Sequence, residues 1–398
     1  MNRNILNKEV QEFIRKNINA DTTKIILKKS PFDNVSGKEI AIQIEGLKKT
    51  KKKLPKWHNT KGIYFPQKLS IEQSSSEKTA QYKSSLVFGD TLIDLTGGLG
   101  VDCSYFCDKI SRVTHCEINT ELSTIAKHNF HCLKKNNITC YNGDGVSFIK
   151  NNNTIYDWIY VDPARRDEKL KRVHNLSNST PDIPLHLDLL FQHTRNILIK
   201  TAPLFDIKQG IKELQFVKEV HVVSVDNECR ELLFLLKKDY NTNPIIKTIN
   251  FAHTISQEFT FSFEEEQSST CVYSEPQEYL YEPNTSILKA GAFQSIAMKY
   301  NVSKLNANTH LYTSTQLIEN FPGRIFKIKQ TLSYNIKTLK ALLLSKKANI
   351  SSRNFPLTVE QIRKKTKLHD GGDIYLFFTR SINNKSVIII TEKVSNRM

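Results

Sequence analysis

Between residues 91 and 162 an acidic residue follows each of four short apolar runs at its carboxyl end, and this regularity leaves few folds open. The runs are Thr91-Leu-Ile-Asp94, residues 112–117 ending in Glu117, residues 138–141 leading to Gly143-Asp144, and Asp157-Trp-Ile-Tyr-Val161 leading to Asp162. Stretches of helical length separate them. Strand-length apolar runs alternating with helices predict a parallel α/β sheet. Such sheets bind ligands in the crevice beyond the carboxyl ends of their strands. Further strands are expected at 196–201, 218–225 and 231–236. The last two are separated only by Asp226 to Arg230, too short for a crossover, so an antiparallel hairpin should end the sheet.

Each acid sits in a setting that suggests a task. Asp94 precedes Thr96-Gly97-Gly98-Leu99-Gly100, where glycines let the backbone turn sharply and approach a ligand. A dinucleotide-type dehydrogenase would need a further glycine near 103, where this chain has Cys103. Glu117 comes 23 residues after Asp94. A carboxylate there accepts both hydroxyls of a ribose, which suits an adenosine held without a phosphate. Asp144, in an Asn-Gly-Asp-Gly turn, is placed for the adenine amino group. Asp162 heads Asp162-Pro163-Ala164-Arg165-Arg166. Its rigid proline would aim the carboxylate into the crevice to orient an attacking nitrogen, while Arg165 and Arg166 are suited to a phosphate or a base edge. Together the four motifs predict S-adenosylmethionine as cofactor and methyl transfer as the reaction.

The formal charge of +17 favours a polyanionic partner, most simply nucleic acid. A chain rich in Lys, Asn and Ile throughout is the alternative explanation of that charge. No apolar run reaches the roughly 18 residues of a membrane span, and the amino-terminal stretch lacks a signal-peptide core. Seven cysteines without a secretory signal read as reduced thiols. The expectation is therefore a cytoplasmic protein, monomeric or weakly associating, with no membrane and no metal partner. Cys103, Cys107, His115, Cys116, His128, His131 and Cys132 lack the paired spacing of a zinc site.

Residues 1–85 read as a helical N-terminal region, with Val10, Phe13 and Ile14 at helical spacing. Seven lysines lie from Lys48 to Lys61 with Pro55 and Trp57 among them. This run reads as a basic loop or frayed helix with an aromatic anchor, serving either nucleic acid or only solvent. Ser74 and Glu77 have capping-box spacing, so a helix is expected from about 75 to 86. The amide-rich start of that helix, with Gln73, Ser76 and Thr79, is expected to lie over the cofactor as a lid. Residues 86–270 form the expected catalytic domain, with 239–280 less regular. A small α+β domain follows, with a basic helix near 357–366 and strands at 373–379 and 386–391.

With these residues in view the chain resembles the bacterial class I S-adenosylmethionine-dependent methyltransferases that carry a C-terminal THUMP-like domain. The likeness is carried by Glu72-Gln73-Ser74-Ser75-Ser76-Glu77 with Thr79, Tyr82 and Lys83, by Asp94 to Asp102, and by Asp162 to Asp167. It continues in Asn227-Glu228-Cys229, Tyr281 to Asn284, Lys289 to Phe293, His310 to Ser314, Phe321 to Arg324 and Arg353 to Pro356. The resemblance implies a Rossmann-like core of seven strands, a ferredoxin-like segment at 281–313 and a THUMP-like domain at 314–396. It also implies tRNA or rRNA as substrate and methylation of a base nitrogen. Two departures stand out. Thr96 replaces the first glycine of the usual loop, and the fourth motif lacks the second proline and the aromatic residue typical of amino-group methylation. Three other readings remain beside this one: attack by a cysteine such as Cys229 on a pyrimidine, methylation of a protein or small molecule, and an RNA-binding module that retains a cofactor pocket.

Overall fold

The structure, a computed structural model, describes residues 1–165, 175–252, 255–343 and 345–394. The chain divides into two units, residues 1–219 with 231–242, and residues 220–230 with 243–398.

The first unit opens with six helices: α1 (Lys8–Lys16), α2 (Thr22–Leu27), α3 (Gly37–Lys53), α4 (Pro55–Asn59), α5 (Lys68–Gln73) and α6 (Glu77–Leu86). The expected period holds in α1, where Val10 and Ile14 are buried. The lysine run differs from the expectation. Lys48 to Lys53 complete the last turns of the 17-residue α3, and Pro55 starts α4 at the position where proline is tolerated. Cations at a helix carboxyl end complement its dipole, which is why the run stays helical. Trp57 is 1% exposed, in one apolar cluster with Ile44, Leu47, Leu99, Val101, Tyr105 and Ile125. It is a core residue and not a surface anchor. Helix α6 also begins two residues later than expected. Its N-cap is Ser76, whose hydroxyl accepts from Thr79 N–H while Thr79 Oγ1 accepts from Ser76 N–H. Ser74 instead ends α5, and Ser75 turns inward.

The α/β core follows as β1 (Thr91–Asp94), α7 (Val101–Phe106), β2 (Arg112–Glu117), α8 (Thr120–Cys132), β3 (Ile138–Asn142), α9 (Gly145–Lys150) and β4 (Trp158–Val161). Next come the paired short strands β5 (Ala164–Arg165) and β6 (Ser179–Thr180), then α10 (Ile183–His193), β7 (Asn196–Thr201), α11 (Ile207–Glu213), β8 (Val217–Val225) and β9 (Glu228–Lys237). The strand order within the unit is β3-β2-β1-β4-β7-β9. Strands β1 to β4 and β7 run parallel, and β9 runs antiparallel to β7. Central residues such as Leu92, Ile93, Ile159, Ile197 and Ile199 are fully buried, as expected of strands covered on both faces. The hairpin is present, but it does not end the sheet, because two further strands follow β8 in the strand order and bring the total to nine. The hairpin connection is only Asp226-Asn227, both at positive φ (51° and 62°), because Asp and Asn tolerate the left-handed turn a two-residue hairpin needs. Polar Glu228 to Arg230 belong to the strand, which the polarity of that stretch concealed.

In the second unit β10 (Ile245–Ala252) pairs antiparallel with β11 (Ile255–Ser262) over their whole length, in a region whose polar residues read as irregular. After α12 (Phe263–Ser268) come β12 (Tyr279–Pro283), α13 (Thr285–Ala290), α14 (Ser295–Tyr300), β13 (Ser303–Asn306), β14 (Thr309–Ser314) and β15 (Gly323–Ser333). The chain ends with α15 (Ile336–Leu342), β16 (Asn349–Ser352), α16 (Val359–Thr366), β17 (Ile374–Arg380) and β18 (Ser386–Lys393). Seven strands form one sheet in the order β13-β14-β12-β15-β18-β17-β16. Alternate residues of β17 and β18 face opposite sides. Leu376, Phe378, Ile388 and Ile390 pack beneath α15 and α16, whereas Phe377, Val387 and Ile389 pack with Leu280, Leu305 and Leu311. Arg324 and Arg353 both pair with the buried Glu282 carboxylate, which ties the Glu282-Pro-Asn, Pro-Gly-Arg324 and Arg353-Asn segments together.

Candidate active site

The chain leaves β1 for β2 and β3 and then returns to β4 on the other side of β1. Ligands settle in such sheets at this reversal, outside the carboxyl ends of the strands. Asp94, Glu117, Asp144 and Asp162 all occupy that edge, the last two in the loops after β3 and β4.

The glycine turn fits closely. A Cβ on Gly97 would lie 2.3 Å from the His115 ring, and one on Gly100, at φ +82°, would lie 2.3 Å from Phe130. Burial lowers the His115 pKa to about 4, so the ring is neutral as it packs under the turn. Gly98 N–H donates to Glu117 Oε2 at 2.8 Å, and Asn119 N–H donates to Oε1 at 2.7 Å. The Glu117 carboxylate is thus oriented by one backbone donor on each oxygen, with lone pairs left for a diol. Ile118, next in the chain, is 71% exposed and gives the same edge an apolar surface. Asp144 caps α9, accepting from Ser147 N–H through Oδ1 at 2.7 Å. Gly145 must lack a side chain, since a Cβ would sit 2.5 Å from the Leu95 carbonyl oxygen.

Asp94 is 1% exposed and accepts from Thr96 N–H (2.9 Å) and from the Cys103 thiol (3.2 Å). Burial outweighs these bonds and raises its pKa to about 7. Two sequence oddities acquire a reason here. Cys103 stands where a dehydrogenase would have glycine because its thiol reaches Asp94. Thr96 replaces a glycine because its Oγ1 accepts from Asp162 N–H at 2.7 Å, joining the loop after β1 to the loop after β4 across the reversal point.

Asp162 has a partner that the motif reading missed. Lys200 Nζ on β7 donates to Asp162 Oδ2 at 2.7 Å. Burial works against the Lys200 charge, but Asp162 and Glu231 hold its pKa above the ordinary value. Next to it lies a buried ionic cluster. Lys83, with no exposed surface, contacts Ser75 Oγ (2.7 Å), both Glu231 oxygens (3.0 and 2.9 Å) and Asp102 Oδ1 (3.2 Å). Asp102 Oδ2 accepts from Ser75 Oγ (2.9 Å) and Tyr160 OH (2.8 Å). The cluster locks the start of α6 to α7, β4 and β9. Lys83 and Asp102 lie in the segments that carry the family likeness. Lys200 and Glu231 gave no local signal.

Of the remaining expected residues, Gln73 is exposed at the end of α5, whereas Ser76 and Thr79 are engaged in their own cap. Pro163 follows Asp162 at the same edge, Arg165 lies in β5 opposite Ser179, and Arg166 lies outside the described residues. Among the described residues no group of three His, Cys, Asp or Glu side chains is placed to hold a metal ion. None of the described helices is long and apolar enough to cross a membrane.

The strand order with its antiparallel β9, together with the acids at the strand ends, defines a class I methyltransferase core. Comparison with known proteins agrees. A crystal structure from Porphyromonas gingivalis W83, described as a methyltransferase, superposes with a TM-score of 0.88 at 33% identity and covers 99% of both chains. Residues 279–322 match a ferredoxin-like domain family, and residues 323–393 match a THUMP domain-like family. The chain belongs to the family of methyltransferases with a C-terminal THUMP-like domain. It is also 28% identical over 200 residues to an uncharacterized RNA methyltransferase of Mycoplasma mobile, covering 46% of this chain and 54% of that one. The chain thus spans about half the length of that relative.

Proposed function

We propose that the protein transfers a methyl group from S-adenosylmethionine to a base nitrogen of tRNA or rRNA. The observation that carries this reading is the row of four carboxylates on one sheet edge, with Asp162 fixed between Thr96 and Lys200. The cofactor, when bound, supplies an electrophilic methyl carbon on a sulfonium. Glu117, already oriented by Gly98 and Asn119, accepts the ribose hydroxyls. Asp144 accepts the adenine amino group through Oδ2, and the Gly97–Gly100 turn admits the methionine portion beside Asp94. The turn from α5 into α6, with Gln73, Ser76 and Thr79, covers the site. Asp162 accepts an N–H from the target nitrogen and turns its lone pair toward the methyl carbon. With the cofactor bound, transfer to the nitrogen held by Asp162 would form the N–C bond as the sulfonium S–C bond breaks, and the nitrogen would lose its proton to solvent. Positioning is the main lever in such an in-line displacement. Arg165 and Arg166 hold a phosphate or base edge of the substrate. RNA is supported by the basic charge, the THUMP-like domain and the description of the Mycoplasma relative.

The test is methyl incorporation from labelled cofactor into RNA of a deletion strain, followed by nucleoside analysis against the parent strain. Incorporation should vanish in Asp162→Ala, and Glu117→Ala should abolish cofactor binding measured by calorimetry. Cofactor binding with incorporation only into protein, or into no RNA at all, would overturn the substrate assignment.

A further inference from the structure

Two lysines serve three of the carboxylates behind the sheet edge, and a fourth is left over. Lys83 touches Asp102 and Glu231, and Lys200 touches Asp162. Asp94 has no ion-pair partner among the described residues. Its hydrogen bonds come from neutral donors, the Thr96 N–H and hydroxyl and the Cys103 thiol. Yet all four acids share one neighbourhood. Tyr160 is buried on β4 and donates to Asp102, and the charges of Asp102, Asp162, Asp94 and Glu231 all act against ionisation of its phenol. With every group ionised, this region would set four negative charges against two positive ones. Solvent reaches only Asp162 and, less, Lys200. An interior does not hold such an excess without a cation or a proton to offset it.

The proton settles on Asp94 rather than on Glu231. Burial pushes Glu231 up as well, but Lys83 lies on both of its oxygens. Asp94 has no cation beside it, and at about 7 it keeps its proton about half the time near neutral pH. The other groups around it do not titrate there. His115, its neighbour on β2, is neutral, and burial drives the Cys103 and Cys116 thiols and the Tyr160 phenol upward.

We propose that the excess carboxylate charge centred on Asp94 selects the sulfonium form of the cofactor over its demethylated thioether, with Asp94 trading its proton for the ligand's positive charge. The proposal rests on the S-adenosylmethionine reading above and adds what this site does with the cofactor's charge. Asp94 sheds its proton to solvent when the sulfonium docks beside it and recovers one once the bound ligand is a thioether. The same residue thereby favours loading of the charged form and release of the uncharged one.

The test is calorimetry of the full chain with S-adenosylmethionine and with S-adenosylhomocysteine, each in buffers of different ionisation enthalpy, which counts released protons. At pH 7 the first should release more than the second, by up to about half a proton. Between pH 6 and 7 affinity for the first should rise up to about fivefold, and for the second less than about twofold. Asp94→Asn keeps the shape and removes the titrating group, so it should abolish the difference in release and shrink the ratio of the two affinities. Cys103→Ala keeps Asp94 but removes a donor to its charged form, so half-maximal release should move to higher pH. Equal release by the two ligands, or a difference that survives Asp94→Asn, overturns the proposal and leaves the cofactor reading intact. Binding of neither ligand overturns both. Excess release in a protein that methylates no RNA supports the charge selection and refutes the RNA substrate.

Discussion

Lys83→Met removes one charge and nearly no volume, and it should be among the most damaging substitutions in the first unit. The Lys83 side chain is fully buried, and its partners Glu231 and Asp102 have side chains only 3% and 11% exposed. Burial penalises its charge, yet Asp102 and Glu231 together hold its pKa above the ordinary lysine value. Without it, two carboxylates face each other in an apolar interior, with Ser75 and Tyr160 as the donors left to Asp102. Breaking a buried pair in this way costs about 3–5 kcal/mol. The loss depends on pH with a definite sign. In the variant the carboxyl pKa values rise in the folded state, so folded protein keeps protons that unfolded protein sheds, and stability falls as pH rises. The deficit should be full at pH 8.5 and clearly smaller at pH 5.5. Both tryptophans, Trp57 and Trp158, belong to the same unit, so their fluorescence during urea unfolding reports this unit selectively. Adding Glu231→Gln should recover more than half of the loss. A deficit under about 1 kcal/mol, or one equal at both pH values, would refute the cluster as a cooperative ionic unit.

Three further outcomes are expected. Asp94, with its pKa raised to about 7 by burial, favours the protonated form in the fold, so its stabilising contribution is complete below the ordinary pKa of 3.8 and is lost as pH rises through about 7. Asp94→Asn should remove that slope, worth at most about 4 kcal/mol, and parallel stability curves from pH 4 to 8 would contradict it. Lys200→Met should lower kcat by about 100-fold with cofactor affinity unchanged, because Asp162 loses the partner that orients it, and Lys200→Arg should restore part of the rate. Equal turnover in Lys200→Met and parent would dismiss the ion pair as decoration. Trp57→Ala should cost about 3–5 kcal/mol in unfolding experiments through the cavity it leaves. An RNA-binding defect with full stability would restore Trp57 as a surface anchor.

The strand series and the acids that end it were legible because both are local. An apolar run, a turn residue and a carboxylate lie within a few positions of one another, and a parallel sheet converts that sequence order into one edge. The same locality explains the misreadings. Ser74 and Glu77 have the right spacing for a cap, yet Ser76 caps and Ser75 is drawn inward by Lys83 and Asp102. Polar Glu228 to Arg230 hid a strand because hairpin pairing, and not burial, holds them extended.

By itself, then, the amino-acid order determined the α/β class, seven of the nine strands of the first sheet, the family likeness and the acids at the carboxyl ends of its strands. Only the tertiary structure decided which charges meet. Lys83 and Glu231 are 148 residues apart in sequence, and Lys200 reaches Asp162 from a strand 38 residues on. A lysine on a strand carries no mark of whether it will face water or a carboxylate. Packing sets that, because a charge is tolerated inside only where a distant part of the chain supplies its partner.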